Sequence, residues 1–359
     1  MASLRDQVFQ ALRTVQDPEL RRDLLSLNMV KRVEEDDGHL LIEIELTTPA
    51  CPLKHTIERD VRSAVSAIAG VKSVSVQFSS NVAARRAAAE DLAPAVRNII
   101  GVASGKGGVG KSTVSVNLAL SLLRCGARVG LLDADIYGPD IPIMVGVNEL
   151  PNVTPSHKMI PLEAHGLKVI SMGFLVGQDE PVVWRGPMLN SALRQLFADV
   201  EWGELDYLIV DLPPGTGDVQ ISLVQLVPVT GCVLVTTPQP VALQDARKGV
   251  AMFRLTKTPV LGLIENMSYF ICPHGDRVEI FSHGGGRRAA EELGIPFLGE
   301  IALDTRIRVG GDTGRPIVVA DPEGEVARMF LGVAEAMAAQ ASVANLGAAS
   351  AAAGSAPGS

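Results

Sequence analysis

Gly105-Lys106-Gly107-Gly108-Val109-Gly110-Lys111-Ser112-Thr113 decides the fold. The stretch satisfies G-x-x-x-x-G-K-[ST] at Gly105, Gly110, Lys111 and Ser112, and it carries a second lysine, Lys106, directly after the first glycine. Glycines so placed let backbone N–H groups point inward and cradle phosphate oxygens. Lys111 is placed to neutralise β/γ-phosphate charge and Ser112 to set its hydroxyl on Mg²⁺. Before the loop, Ile99-Ile100-Gly101-Val102-Ala103 is a short apolar run, the pattern of a buried parallel strand. After it, Val114, Val116, Leu118, Ala119, Leu120, Leu122 and Leu123 continue as a mostly buried helix. Strand, glycine loop and helix together aim a helix N-terminus at an anion.

Outward from the loop, strands and helices alternate from about residue 96. This predicts an α/β domain with a mostly parallel sheet flanked by helices. Its strands are expected at Ile99–Ala103, Val129–Asp133, Leu208–Asp211, Gly231–Thr236 and Val260–Glu265. Residues 1–78 read as a small α+β domain: a helix over Arg5–Val15 ended by Asp17-Pro18-Glu19, a strand at Leu40–Leu46, a helix over Leu53–Ala69 and a strand at Val71–Phe78. Residues 79–94 read as a linker, 95–343 as the phosphate-loop domain, and 344–359, rich in Ala, Gly and Ser, as a disordered tail.

Composition narrows the function. Aromatic residues make up 4% of the chain and the net charge is −8, which argues against a base-stacking surface and against a broad phosphate-backbone footprint. No nucleic-acid partner is expected. The N-terminus does not read as a signal peptide, no uninterrupted apolar stretch reaches the length of a membrane span, and no membrane partner is expected. Cys51, Cys125, Cys232 and Cys272 are scattered without a disulfide framework, which suits a reducing cytoplasm.

Carboxylates stand at two expected strand ends, in Leu131-Leu132-Asp133-Ala134-Asp135 and in Leu208-Ile209-Val210-Asp211-Leu212-Pro213-Pro214-Gly215. Ligands of open α/β sheets sit beyond the carboxyl ends of strands. Asp211 is thus placed to hold Mg²⁺, Asp135 to orient or deprotonate an attacking water, and Asp133 to support the loop or the metal shell. Gly215 is placed to donate its N–H to a γ-phosphate. Each Asp also admits a plainer reading as a cap or turn residue. Ser282-His283-Gly284-Gly285-Gly286-Arg287-Arg288 is a glycine loop before a helix, read as a flexible turn or a second anion site.

The phosphate loop with Asp133-Ala134-Asp135-Ile136-Tyr137-Gly138-Pro139-Asp140 resembles the deviant Walker A ATPases, the MinD/ParA/nitrogenase-iron-protein class. Ser171-Met172-Gly173-Phe174, Trp184-Arg185-Gly186-Pro187-Met188, Asp211-Leu212-Pro213-Pro214-Gly215-Thr216-Gly217-Asp218 and Glu265-Asn266-Met267-Ser268-Tyr269-Phe270 narrow the resemblance to the Mrp/ApbC iron–sulfur cluster carriers. Asp17-Pro18-Glu19 and Thr48-Pro49-Ala50-Cys51-Pro52 resemble the small domain of iron–sulfur assembly factors. The resemblance implies a slow, ATP- and Mg²⁺-dependent homodimer that passes clusters from scaffold proteins to apo iron–sulfur proteins. It implies that Lys106 reaches the partner subunit's phosphates, and that Asn266 reads adenine in a pocket lined by Pro238 and Gln239.

The family pattern also carries Cys-x-x-Cys after the Asn-Met-Ser segment, so that two subunits bridge one [4Fe–4S] cluster. Here the chain reads Cys272-Pro273-His274-Gly275, with Gly275 at the second cysteine position. Two Cys272 thiolates are then available per dimer. His274 or His283, an external thiol, or Cys51 are the candidate replacements, since imidazole ligates iron in Rieske centres. Cys272 also reads as an ordinary loop thiol. Cys125 and Cys232 lie in apolar contexts and read as core, and Cys51, near a helix start, as a reactive thiol or a packed one. Two other classes stay open: a MinD/ParA-like positioning ATPase, and an ATP-binding scaffold that has lost its cluster.

Overall fold

The computed structural model describes residues 3–354, apart from 19, 21, 86–90, 176–185 and 273. Glu19, the middle of the expected linker, Trp184-Arg185, Pro273 and the end of the tail at 355–359 lie outside the described residues. The chain divides into two compact units, Met1–Ala83 and Ala84–Ser359.

The larger unit is built on an eight-stranded sheet. The strands run in the order Phe297–Glu300, Val260–Glu265, Gly231–Thr236, Ile99–Ser104, Tyr207–Asp211, Val129–Asp133, Leu167–Ser171, Leu162–Ala164. Neighbours are parallel except the last pair, which is an antiparallel turn-back at the edge. The phosphate-loop strand lies in the middle. Residues of Ile99–Ser104, Tyr207–Asp211, Val129–Asp133 and Gly231–Thr236 are buried along their whole length. That is why these strands read as continuous apolar runs rather than alternating ones. The edge strands Leu162–Ala164 and Phe297–Glu300 and the neighbouring Leu167–Ser171 were not legible in this way. They are short and carry exposed or half-buried Glu and Lys positions.

Register fixes the site. Asp211 stands beside Val102 on one side and beside Asp133 on the other, so the ends of three adjacent strands converge on the loop that follows Ser104. The crossover from Tyr207–Asp211 to Gly231–Thr236 passes to the far side of Ile99–Ser104. The order reverses there, and such a reversal opens a crevice at the strands' carboxyl ends.

The last helix runs from Glu325 to Gly354, past residue 343 and into the stretch read as tail. Alanine, which dominates this segment, has the highest helix propensity. Over Glu325–Gly347 this helix is long and apolar enough to cross a membrane by length and composition, although Arg328 and Glu335 interrupt its apolar run. Its Phe330, Val333, Ala334, Met337 and Ala338 are buried, and it packs on the Lys111–Arg124 helix and the Phe297–Glu300 strand. One face of this helix is thus part of the larger unit's core.

The smaller unit has a helix at Leu4–Leu12, opened by a Ser3/Asp6 capping box, and a second at Lys54–Ser66. Its three-stranded sheet has the order Val30–Asp36, His39–Leu46, Ser73–Ser80. The central strand alternates strictly, with Leu40, Ile42, Ile44 and Leu46 buried against Ile57, Val61 and Val65 of the second helix. Val30–Asp36 escapes a sequence reading because Val33 is its one fully buried residue.

Candidate functional site

The glycine loop connects the buried Ile99–Ser104 strand to the helix Lys111–Arg124, with Gly110 as N-cap at φ +79. A β-carbon on Gly110 would lie 2.3 Å from Asn266 Nδ2, so both the backbone angle and the close approach require glycine. Asn266 Nδ2 donates to the Val109 carbonyl at 2.8 Å and so braces the loop from the Val260–Glu265 strand end. Around Gly107 and Gly108 there is open space.

Lys111 is 6% exposed. Its ammonium lies 2.6 Å from Asp211 Oδ2, 3.3 Å from Asp135 Oδ2 and 3.3 Å from Ser112 Oγ. Asp211, fully buried, accepts further bonds from Ser112 Oγ to Oδ2 and from Ser115 Oγ to Oδ1, each at 2.6 Å. Asp133, also fully buried, accepts from the Asp135 amide at 3.1 Å, the Ile141 amide at 3.3 Å and Ser171 Oγ at 2.8 Å. It thus shapes the loop that carries Asp135 toward Lys111. Burial, then the facing Asp211 carboxylate, push Asp133 well above the usual carboxylate range, against the Ser171 and Asp135 hydrogen bonds. Burial also raises Asp135, with Lys111 pulling the other way. One buried ammonium therefore serves a crowd of carboxylates, an arrangement into which a further cation fits.

Two cavities open here. One of about 400 Å³ is lined by Gly107, Gly108, Lys111, Ser112, Asp135 and Pro214 among others. The other, about 480 Å³, is more apolar and is lined by Asn266, Met267, Leu303, Asp304, Ile307 and Arg308 among others. Gly110, Thr113, Asp140 and Met144 line both, so the two are continuous. A chamber beside the glycine loop that leads into a second, apolar one suits a nucleotide.

Gly215, at φ +102, donates its amide to the Ser104 carbonyl at 2.9 Å. Among the described residues Lys106 has no ion-pair partner. Pro238 and Gln239 do not line either cavity; the strand end after Phe297–Glu300 supplies Leu303 and Asp304 instead. Sequence reasoning missed that wall and missed Ser115. The available signals were one more strand end at Ile301-Ala302-Leu303-Asp304, and a serine one helical turn after Ser112. The glycine loop at Gly284–Gly286 does bind an anion, but it is the protein's own. Buried Glu265 accepts from the Gly284 amide at 3.1 Å and from the Gly286 amide, capping the helix Gly285–Leu293.

Cys272 stands in the turn of a hairpin formed by Phe270–Ile271 and Arg277–Val278. Its amide donates to the Asp276 carbonyl at 2.9 Å, and its sulfur lies 3.8 Å from Asp276 Oδ2. Gly275 sits at φ +89, the left-handed region that favours glycine, with open space around it. The second-cysteine position is thus a turn position here. His274 is exposed, whereas His283 is half-buried and engaged with Ser268 and Arg277. Among the described residues none of the four cysteines forms a disulfide. Burial pushes the Cys232 thiol up to about 12, and burial with Glu335 pushes Cys125 up to about 11, which suits packing rather than ligation. Cys51, in the smaller unit, is half-buried and packs against that unit's core.

Residues 95–338 match the family described as NUBPL iron-transfer P-loop NTPase, and residues 5–78 the family described as iron-sulfur cluster assembly protein. The iron-sulfur cluster carrier protein of Deinococcus radiodurans is 52% identical over 346 residues, spanning 96% of this chain and 97% of that one. The iron-sulfur cluster carrier protein of Synechocystis sp. is 48% identical over 348 residues, spanning 95% and 99%. Among solved structures, a nucleotide-binding protein from Archaeoglobus fulgidus in complex with ADP is 38% identical with a TM-score of 0.58, covering 66% of this chain and 93% of that one.

Proposed function

The chain belongs to the NUBPL iron-transfer P-loop NTPase family, and from that premise we propose that it is an ATP-dependent carrier that passes iron–sulfur clusters to apo-proteins as a homodimer. The observation that carries the nucleotide half is the convergence of Lys111, Ser112 and Asp211 within 2.6 to 3.3 Å at the mouth of a two-chambered cavity.

In this reading Lys111 exchanges its carboxylate partners for β- and γ-phosphate oxygens, and the amides of the glycine loop hold the rest of that charge. Ser112 Oγ and Asp211 Oδ2 are hard oxygen donors side by side, the donor type Mg²⁺ takes, and they would hold it. When bound, Mg²⁺ neutralises phosphate charge and polarises the phosphoryl oxygens. Asp135 orients the attacking water and accepts its proton. Gly215 turns its amide from the Ser104 carbonyl to the γ-phosphate, and returns it when that phosphate leaves. Lys106 extends to the phosphates of a partner subunit. The base lies in the chamber beside Asn266, Met267 and Leu303.

The cluster is cargo. Cys272 and exposed His274 of each subunit supply two thiolates and two imidazoles, a four-ligand set of mixed type. A weaker set than four thiolates suits a protein that must give its cargo up. Turnover is slow, because a carrier needs a switch more than flux. A second reading, an ATP-binding scaffold without cargo, draws on one observation, the left-handed glycine where a second cysteine would stand.

The test is transfer. Reconstituted protein is mixed anaerobically with an apo-enzyme that needs a [4Fe–4S] cluster, with and without Mg-ATP, and recovered enzyme activity is followed. The carrier reading expects transfer that responds to Mg-ATP and loses that response in Lys111→Ala. Absence of transfer from wild type under every condition would leave the scaffold reading.

A further inference from the structure

Glu265-Asn266-Met267-Ser268-Tyr269 faces two ways. Asn266 and Met267 line the base chamber, and Asn266 also braces the phosphate loop through Val109. Met267 takes φ +55, a rare angle for a side-chain-bearing residue, and this turns the chain between the two roles. Glu265, Ser268 and Tyr269 face a polar cluster. Ser268 Oγ lies 2.5 Å from Glu265 Oε1, 3.1 Å from Glu300 Oε2 and 3.0 Å from His283 Nδ1.

The hairpin that carries Cys272 is fastened to that cluster by Arg277, the residue paired with Ile271 on its returning strand. The Arg277 guanidinium lies 3.7 Å over the Tyr269 ring, with Nη2 2.8 Å from His283 Nδ1 and 3.7 Å from Glu300 Oε1. Stacking on one face with charge pairing at the edge is what a planar guanidinium does and an ammonium does not. Glu265, His283 and Glu300 bring ligand-type atoms within 4.8 Å of one another, the grouping of a metal site. Arg277 already supplies a positive charge to that grouping, so the cluster reads as an anchor for the hairpin rather than as a metal centre. The hairpin's base has a second tie: the Leu303 amide donates to the Tyr269 carbonyl at 2.6 Å, and Phe270 bridges to Leu303, which itself lines the base chamber.

We propose that Arg277 is the positioning residue through which nucleotide state reaches the Cys272 hairpin, so that occupancy of the base chamber sets how accessible the Cys272 thiol is. The proposal rests on the reading that the Lys111 site binds ATP. A shift of Asn266 and Met267 around a bound base displaces Ser268 and Tyr269 in the same short segment. Arg277 hands that displacement to the strand that ends at the cysteine turn. Two packed arrangements of one segment, biased from either side, are what coupling between sites requires.

The test uses full-length, cluster-free protein under anaerobic conditions. Cys272 alkylation by iodoacetamide is timed by peptide mass analysis, without nucleotide, with Mg-ADP and with a non-hydrolysable Mg-ATP analogue. Cys51 in the other unit serves as the reference thiol in the same samples, and ATP affinity is measured alongside. Wild type is expected to change its Cys272 rate about fivefold or more with nucleotide, the low end of ordinary coupling energies. In Arg277→Ala the ratio falls to about one while ATP affinity stays within about twofold. Arg277→Lys keeps the charge but not the stacked plane, and it too loses most of the ratio. Full nucleotide dependence in both variants overturns the proposal, because simple occlusion of Cys272 by a partner subunit would survive them. A wild-type rate that ignores bound nucleotide overturns it as well. Absence of ATP binding in wild type is a different failure, of the reading beneath, and takes this one with it.

Discussion

Lys111 is held between two buried carboxylates and is 6% exposed, whereas Cys272 stands in a turn between strands of two residues each, its sulfur 3.8 Å from Asp276. The first site is over-determined: three adjacent strand ends, a capped helix and a brace from Asn266 all fix one ammonium. The second hangs from few bonds, with Arg277 among the chief ones. The contrast fits the chemistry proposed for each end. Phosphoryl transfer depends on donors held in place before charge develops, while cargo transfer depends on ligands that can be reached and replaced. On the proposed reading, a densely bonded end and a sparsely bonded one divide the labour within one unit.

Variants at the two ends should separate along this line. The largest effect is expected for Lys111→Ala, which removes the ammonium proposed to meet the phosphates. ATP hydrolysis should fall by about 10²–10³-fold, as for loss of a key charge-stabilising group, read by phosphate release at saturating Mg-ATP. Cluster content should persist in the same sample, and its loss would break the division. Next comes Gly110→Ala, which meets both a left-handed φ and the 2.3 Å approach to Asn266 Nδ2. ATP affinity should weaken by more than about tenfold, measured by nucleotide titration, with the melting temperature of the smaller unit unchanged.

A smaller effect is expected from pH. Asp133 is raised in the fold above its unfolded value, so the folded chain holds the extra proton. Stability from this group is present below the unfolded value and is lost as pH rises through the folded one. Asp133→Asn should flatten that part of the stability–pH curve, read by urea unfolding from pH 4 to 7, whereas His274→Ala at the other end should leave it unchanged. An unchanged slope in Asp133→Asn would mean that the crowd of carboxylates around Lys111 carries no such strain. The smallest effect is expected for Gly275→Ala. It places a side chain at φ +89 in open space, at a cost of about 1 kcal/mol confined to the turn. Melting temperature and ATP affinity should barely move, while the Cys272 alkylation rate shifts.

The same contrast explains what could be read before the structure. The phosphate loop is contiguous in sequence, and its partners Asp133, Asp135 and Asp211 sit at the ends of uninterrupted apolar strands, so each announced itself. Leu303, Asp304 and Arg308 line the base chamber from beyond a four-residue strand whose burial pattern carries no clear period. Nothing local marks them. Gly215 reads as a candidate phosphate sensor, but its bond to Ser104 does not show in the sequence, because that bond joins two strand ends only once the sheet has formed. The Arg277 anchor draws on residues from 265 to 300, each unremarkable alone. The Gly284–Gly286 loop reads as a flexible turn or an anion site, and nothing local shows that Glu265 fills it.

The claim that one unit joins a fixed nucleotide site to a yielding cargo site is tested most directly by iron and sulfide content. Wild type, Cys272→Ala and His274→Ala are reconstituted anaerobically, and iron, sulfide and visible absorbance are recorded per chain, with ATP binding measured on the same samples. The account predicts coloured wild type, colourless Cys272→Ala, altered absorbance in His274→Ala, and equal ATP affinity in all of them. Wild type and Cys272→Ala both colourless while still binding ATP, or both equally loaded, would contradict it.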